Sequence, residues 1–187
     1  MTDTASPTAA RVRLLMAHPG LRQSRANAAL WQATAALDAA GIDRCDLYAQ
    51  YPDYDIDVAQ EQAALEAAHT LVWQYPIHWY GLPPLLQLWL DEVLTYGWAY
   101  GPGGQALAGK RLQLIVTAGG TPQAYSAQGT HGRAFEDFLA PAQATARLCG
   151  MLWQPPLLLL DAHREPLQPW IARCLDALQL PSASAKD

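Results

Sequence analysis

Residues 12–41 read VRLLMAHPGLRQSRANAALWQATAALDAAG. Val12 to Ala17 form an apolar run of strand length. The spacing of Ala26, Leu30, Ala33 and Leu37 is helical, and Gly41 closes it. Strand, loop and helix thus follow one another in a single stretch, and the unit recurs down the chain. A weaker strand at Arg44 to Tyr48 precedes a helix through Ala68, opened by Asp57 and Gln60 as a capping box. Strand Thr70 to Tyr75 leads through a loop ending in Pro83-Pro84 to a helix from Leu85 to Leu94, with proline where a first turn tolerates it. Strand Leu112 to Thr117 comes next, then a helical face of Phe135, Phe138, Leu139, Ala142 and Ala146. A strand at Leu157 to Leu160 and an amphipathic helix carrying Leu167, Trp170, Ile171, Cys174, Leu175 and Leu178 complete the series.

Five strands alternating with five helices call for an α/β, doubly wound fold, because each parallel connection is a right-handed crossover that places a helix on one sheet face. The expectation is a three-layer, five-stranded parallel sheet in the flavodoxin-like order 2-1-3-4-5. Ligands of such sheets sit beyond the carboxyl ends of strands one, three and four. That selects the loops His18 to Asn27, Pro76 to Pro83 and Ala118 to Gly132.

Composition agrees with one compact domain. The 187 residues are 51% hydrophobic and 16% charged, against roughly 25% charged on average. This excludes a disordered chain and favours large buried or partner-covered surfaces. The domain is expected over residues 11–180, between polar, proline-containing tails at 1–10 and 181–187. A net charge of −5 with 12 scattered Lys and Arg offers no basic patch for nucleic acid. Cys45, Cys149 and Cys174 form no CxxC, which argues against a disulfide framework or a metal site and for a reducing cytoplasm. The N-terminus lacks the blocks of a signal peptide, and no apolar run approaches the roughly 20 residues of a membrane span.

The first loop, HPGLRQSRAN, contains neither GxGxxG nor GxxxxGK[ST]. Ser24 and Asn27 open a helix whose free N–H groups and dipole favour an anion, and a single phosphate fits there. Ser24 as a plain N-cap is the alternative; His18 either donates to the same phosphate or is an ordinary loop residue. The second loop, Tyr75-Pro76-Ile77-His78-Trp79-Tyr80-Gly81-Leu82-Pro83, places aromatic rings where polar residues are the rule. They either wall a flat ring system or form a packed or dimer-covered cluster. In the third loop, Gly119 and Gly120 let the backbone approach a ligand closely. Tyr125 and His131 can exchange protons or stabilise a developing anion, unless they are surface groups. Leu88, Trp89, Leu90 and Val93 make the fourth helix nearly all apolar, and Trp79, Tyr80 and Trp89 lie too close together for one sheet face to hide. The expected cover is a homodimer, with core packing alone as the alternative.

The strings AHPGLRQSRAN, YAQYPDYDID, VWQYPIHWYGLPPLLQLWLDEVLTYGWAYGPGGQALAGK and TAGGTPQAYSAQGTHG resemble the flavodoxin-like NAD(P)H:quinone oxidoreductase family. Within it, the likeness is to the KefF-type ancillary flavoproteins of glutathione-regulated potassium-efflux systems, from about Val12 to about Trp170. The resemblance implies that His18, Ser24, Arg25, Ala26 and Asn27 contact a flavin's phosphate and ribityl chain. Ile77, His78, Trp79 and Tyr80 would hold the isoalloxazine, together with Thr117, Ala118, Gly119 and Gly120. Tyr125 and His131 would stabilise charge on the reduced flavin, and Tyr100 would border the substrate pocket at a dimer interface. His78 stands where glutamine is common and Ala118 where threonine is usual. Both changes are tolerable if those positions act through backbone N–H groups. The implied activity is a two-electron, ping-pong transfer of hydride from NAD(P)H through FMN to a quinone. FMN is preferred over FAD because the chain is short and shows no adenine pocket. The implied alternative is a regulatory subunit of a potassium-efflux antiporter, held through that partner on the cytoplasmic face of the inner membrane. A flavodoxin-type electron carrier fits less well, since no dense acidic docking face is visible.

Overall fold

The computed structural model describes residues 12–179; the tails expected at 1–10 and 181–187 lie outside the described residues. The strands are β1 (Val12–Met16), β2 (Ile42–Asp46), β3 (Thr70–Pro76), β4 (Arg111–Thr117), β5 (Leu152–Trp153) and β6 (Leu157–Leu159). All pairings between them are parallel, and the order is β2-β1-β3-β4-β5, with β6 also on β4. The expected order 2-1-3-4-5 is therefore the one observed, with the fifth position shared by two short strands. The break between them falls at Gln154-Pro155-Pro156, since proline has no N–H to give a ladder. Across the gap, the Gln113 amide donates to the Pro155 carbonyl at 2.9 Å.

Helices α1 (Arg25–Thr34), α2 (Leu47–Gln50), α3 (Val58–Ala67), α4 (Pro84–Val93), α5 (Ala140–Leu148) and α6 (Leu167–Gln179) connect the strands. Alternating residues of each strand face opposite layers. Leu71, Trp73 and Tyr75 of β3, with Leu112, Leu114 and Val116 of β4, pack in one cluster with Leu65 of α3, Leu85 and Trp89 of α4, and Ala142 and Ala146 of α5. Leu14, Val72 and Ile115 pack in the other, with Leu30 of α1 and Trp170 and Cys174 of α6. These are the three layers of a doubly wound sheet.

Several boundaries differ from the expected ones. The second strand ends at Asp46, not Tyr48, because the Asp46 carboxylate caps α2 by accepting from the Tyr48 and Ala49 N–H groups. Helix α1 stops at Thr34 and tightens into 3-10 turns over Ala35–Ala40. The helical face beginning at Phe135 is a 3-10 segment to Leu139 before α5 starts, with Pro141 in its first turn. On α4, Leu85, Leu86, Trp89 and Val93 are completely buried. Trp89 therefore belongs to the core of one chain and offers nothing to a second copy, although one sheet face does not hide all three of Trp79, Tyr80 and Trp89. Trp79 and Tyr80 remain exposed.

Under β1 and β2 lies a buried ionic cluster. The Glu61 carboxylate, fully buried, accepts from Arg13 at 2.7 and 2.8 Å, from the Tyr51 hydroxyl at 2.8 Å and from the Trp89 indole at 3.1 Å. Arg13 also donates to Asp43 at 2.6 Å. One carboxylate thereby ties β1, α3, α4 and the segment after α2, and Asp43 adds β2.

Candidate active site

At the carboxyl ends of β1, β3 and β4 the loops enclose a cavity of about 480 Å³. It is lined by His18, Gln23, Ser24, Arg25, Ala26 and Asn27 on one side, and by Ile77, His78, Thr117, Ala118 and Gly119 on the other. Ala162 and His163 close a third side. Among the described residues no carboxylate lines it. Arg25 and three histidines do, so the walls suit an anion.

The phosphate end is built by the start of α1. Ser24 is the N-cap, its hydroxyl accepting from the Asn27 N–H at 3.1 Å. Ser24 is thus a cap, and by being one it places the next two N–H groups, of Arg25 and Ala26, on the cavity with no acceptor among the described residues. Asn27 is buried and bound inward: its amide donates to Thr117 Oγ1 at 2.9 Å, and its carbonyl accepts from Gln74 at 3.0 Å. It fastens α1 to β3 and β4. His18 accepts the Gly20 N–H on Nδ1 at 3.0 Å, which leaves Nε2 to donate when the ring is neutral. Burial, with help from nearby His78, holds its pKa below the ordinary value; the two rings meet edge-on at 6.0 Å.

The open backbone donors are fewer than the resemblance implies. The N–H of Ile77 bonds to Thr117, that of Ala118 to Leu159, and that of His78 to Gly81. Those of Trp79, Tyr80, Gly119 and Gly120 have no acceptor among the described residues. His78 to Gly81 is a tight turn with reciprocal backbone bonds of 3.3 and 3.1 Å. Its central residues, Trp79 and Tyr80, have φ of 47° and 66°. Such turns normally take Asn-Gly, and a non-glycine residue in this region costs of order 1–3 kcal/mol. The turn holds Trp79 out, 94% exposed.

Tyr125 and His131 are brought together beside the cavity, stacked at 4.2 Å. The Tyr80 hydroxyl lies 3.2 Å from His131 Nδ1, and Tyr80 stacks on Phe138 at 4.9 Å. Burial, with Tyr80 adding a smaller effect, raises the Tyr125 pKa. A Cβ at Gly120 would lie 2.8 Å from the Tyr125 ring and 2.9 Å from His131 Nε2, so only glycine lets this pair lie against the loop. Tyr100 is elsewhere. It lines a separate groove of about 340 Å³ between α4 and α5, with Leu82, Leu90, Leu94 and Leu148. Within one chain it does not reach the cavity.

The expected set omits the loop after β6, with Ala162 and His163, as well as Gln23 and Phe138. The signal available was a polar stretch, Asp161-Ala162-His163-Arg164, directly after an apolar strand.

The carboxylate-free cavity, the two open N–H groups at the start of α1 and the open amides of Gly119 and Gly120 fit a flavin mononucleotide: a phosphate at one end and a polar ring margin at the other. The profile of the family described as "Flavodoxin-like fold" matches residues 10–179. The glutathione-regulated potassium-efflux system ancillary protein KefF of Salmonella heidelberg is 45% identical over 148 residues, 79% of this chain and 82% of that protein. The crystal structure of general stress protein 14 from Treponema denticola, in complex with FMN, superposes with TM-score 0.83 and 38% identity, covering 90% of this chain and 97% of that one. An NADPH-quinone reductase from P. pentosaceus gives TM-score 0.76 and 25% identity, covering 90% and 95%. Parallel sheet, cavity and matched sequence agree: the chain belongs to the flavodoxin-like-fold family, with the KefF-type ancillary proteins among its relatives.

Proposed function

We propose that this chain is an FMN-dependent NAD(P)H:quinone oxidoreductase. The observation that carries the reading is the joining of two parts: a phosphate-ready cavity, and the Tyr80–His131–Tyr125 cluster packed against Gly120 at its margin. Bound there, the flavin supplies two-electron hydride chemistry. Ser24 orients the start of α1 so that the Arg25 and Ala26 N–H groups hold the phosphate. The amides of Gly119 and Gly120 donate to the polar margin of the ring. Tyr125 and His131 hold a proton close to that margin, and the Tyr80 hydroxyl fixes the His131 imidazole through Nδ1. NAD(P)H and quinone would share one site in turn, and the kinetics would be ping-pong.

The test has two stages. Apo-protein titrated with FMN should quench its fluorescence; no quenching ends the flavin reading. In the holoprotein, Tyr125→Phe with His131→Gln should slow stopped-flow flavin reduction by about 10²-fold or more at unchanged flavin content. Unchanged rates would return both rings to a packing role.

The α4–α5 groove is the surface a second copy would cover, with Tyr100 then reaching the partner's site; light scattering should give about twice 20.4 kDa. The likeness to KefF over 148 residues supports a second role, as ancillary subunit of a potassium-efflux antiporter on the cytoplasmic membrane face. Among the described residues no helix is long and apolar enough to cross a membrane, so attachment would be through that partner. Co-purification with a membrane antiporter encoded nearby tests it.

A further inference from the structure

The loop after β6 is a wall of the cavity to which the sequence motifs assign no role. It is not a loose connection. The Asp161 N–H donates to Gly120 at 2.8 Å and the Ala162 N–H to Ala118 at 3.0 Å, joining it to the loop after β4. From the other side, Arg25 Nη1 donates to the carbonyls of Ala162 and Glu165, both at 3.0 Å. The bonds to Asp161 from the Arg164 and Glu165 N–H groups, at 2.9 and 3.0 Å, tighten it into a turn. Asp161 itself takes φ of 49°. His163 lies inside this bracing, one residue after Ala162 and two before Glu165.

The imidazole lines the cavity. Its Nε2 lies 3.4 Å from where a Cβ on Gly119 would stand, while the carbonyls of Ala162 and Glu165 on either side of it are tied through Arg25 to the start of α1. The ring thus stands beside Gly119, on a loop that Arg25 fixes to the start of α1, within the cavity that the phosphate cradle also lines. His18, on another wall of the cavity, has its pKa held below the ordinary value by burial and by His78, and its Nδ1 is already engaged by the Gly20 N–H. Arg25 has one guanidinium nitrogen committed to two carbonyls.

Resting on the flavin reading above, we propose that His163 is a cofactor-binding residue that donates to the flavin's phosphate from the wall formed by the loop after β6, and that Arg25 is a positioning residue that holds the His163 loop in place. The sheet makes the arrangement natural. Strand β6 pairs directly with β4, so its following loop emerges beside Gly119 and Gly120 and packs on α1 from the neighbouring layer.

The experiment is a fluorescence titration of apo-protein with FMN and, separately, with riboflavin, which lacks the phosphate. Wild-type chain that binds neither ligand would refute the flavin reading itself, whatever the His163 variants do. With wild-type binding established, His163→Ala should weaken FMN about tenfold, the weight of one hydrogen bond to a charged group, and change riboflavin less than about twofold. Equal weakening of both ligands, or no weakening of FMN, would overturn the phosphate contact. Arg25→Ala should weaken FMN by a similar factor, and the double variant should be no worse than either single one, because two changes acting through one contact do not add. Additive losses would show that Arg25 acts on the cofactor independently and would overturn its positioning role. Far-ultraviolet circular dichroism and the urea midpoint of each variant, matching wild type, exclude misfolding as the cause.

Discussion

The molecule contains two polar clusters made of similar residue types, and they are finished differently. Under β1 and β2, Glu61 accepts four hydrogen bonds from Arg13, Tyr51 and Trp89, and it is closed to solvent on every side. At the carboxyl ends of the strands, Arg25, His18, His163, the start of α1 and the glycine loop leave donors facing an open cavity. A buried charge with every lone pair occupied holds elements together and has nothing left to bind with. Donors aimed into space without an acceptor are the arrangement that costs stability unless a ligand completes it. The contrast separates a structural knot from a binding site.

The knot should break most severely. Glu61→Gln, which leaves the buried Arg13 with Asp43 as its remaining carboxylate, should lower the unfolding free energy by up to about 3–5 kcal/mol. Urea denaturation measures it, and FMN affinity well below the transition should stay near wild type. If binding fell in step with stability, the two clusters would not be independent. Ser24→Ala works on the cavity. It removes the cap that orients the Arg25 and Ala26 N–H groups, so FMN affinity should fall several-fold, with a stability loss of about 1 kcal/mol. Gly120→Ala should displace the stacked Tyr125–His131 pair and slow flavin reduction while stability changes little, which stopped-flow and melting experiments can separate.

A smaller effect follows from His18. Its folded pKa lies below the ordinary 6.5, so the folded chain binds fewer protons there than the unfolded chain. Its contribution is present above the ordinary value and is lost as pH falls from there through the lowered folded value. His18→Gln should flatten the pH dependence of the urea midpoint in that window. The slightest response should come from the thiols. Burial pushes Cys45 and Cys174 up to about 12 and raises Cys149 as well. A thiol reagent at mildly alkaline pH should label none of the three until the chain is unfolded. Rapid native labelling of Cys45, beside the knot, would mean that the knot opens.

The sheet order and the three expected loops were legible because strand and helix periods alternate without interruption from Val12 onward, and because glycines and aromatics punctuate the ligand end. Ser24 was legible as a cap for the same local reason. Glu61 was not. It sits one turn inside a helix where a carboxylate reads as solvated, and only the tertiary approach of Arg13 from β1 makes it internal. Trp89 misled in the opposite direction, since only the tertiary packing of α4 shows that it is internal, with Glu61 accepting its indole N–H. His163 was missed because the rule for doubly wound sheets points to the loops after strands one, three and four. The break at Pro155-Pro156 lets β6 lie along the upper half of β4, pairing at Ile115 to Thr117, and so delivers a fourth loop to the same place.

That broken last strand also governs how the protein can meet copies of itself. On one flank the sheet terminates in β5 and β6, two and three residues long and interrupted by prolines. On the other it terminates in β2, where Asp43, Arg44 and Asp46 interrupt the apolar pattern. Short, proline-broken and charged margins resist strand addition, the route by which open sheets aggregate or swap. Continuation of the sheet into a neighbour is blocked on both flanks. Any second copy must approach through helices and loops, the surfaces that carry the α4–α5 groove and the cavity mouth, so self-association in this chain is steered toward the chemistry and away from fibre growth.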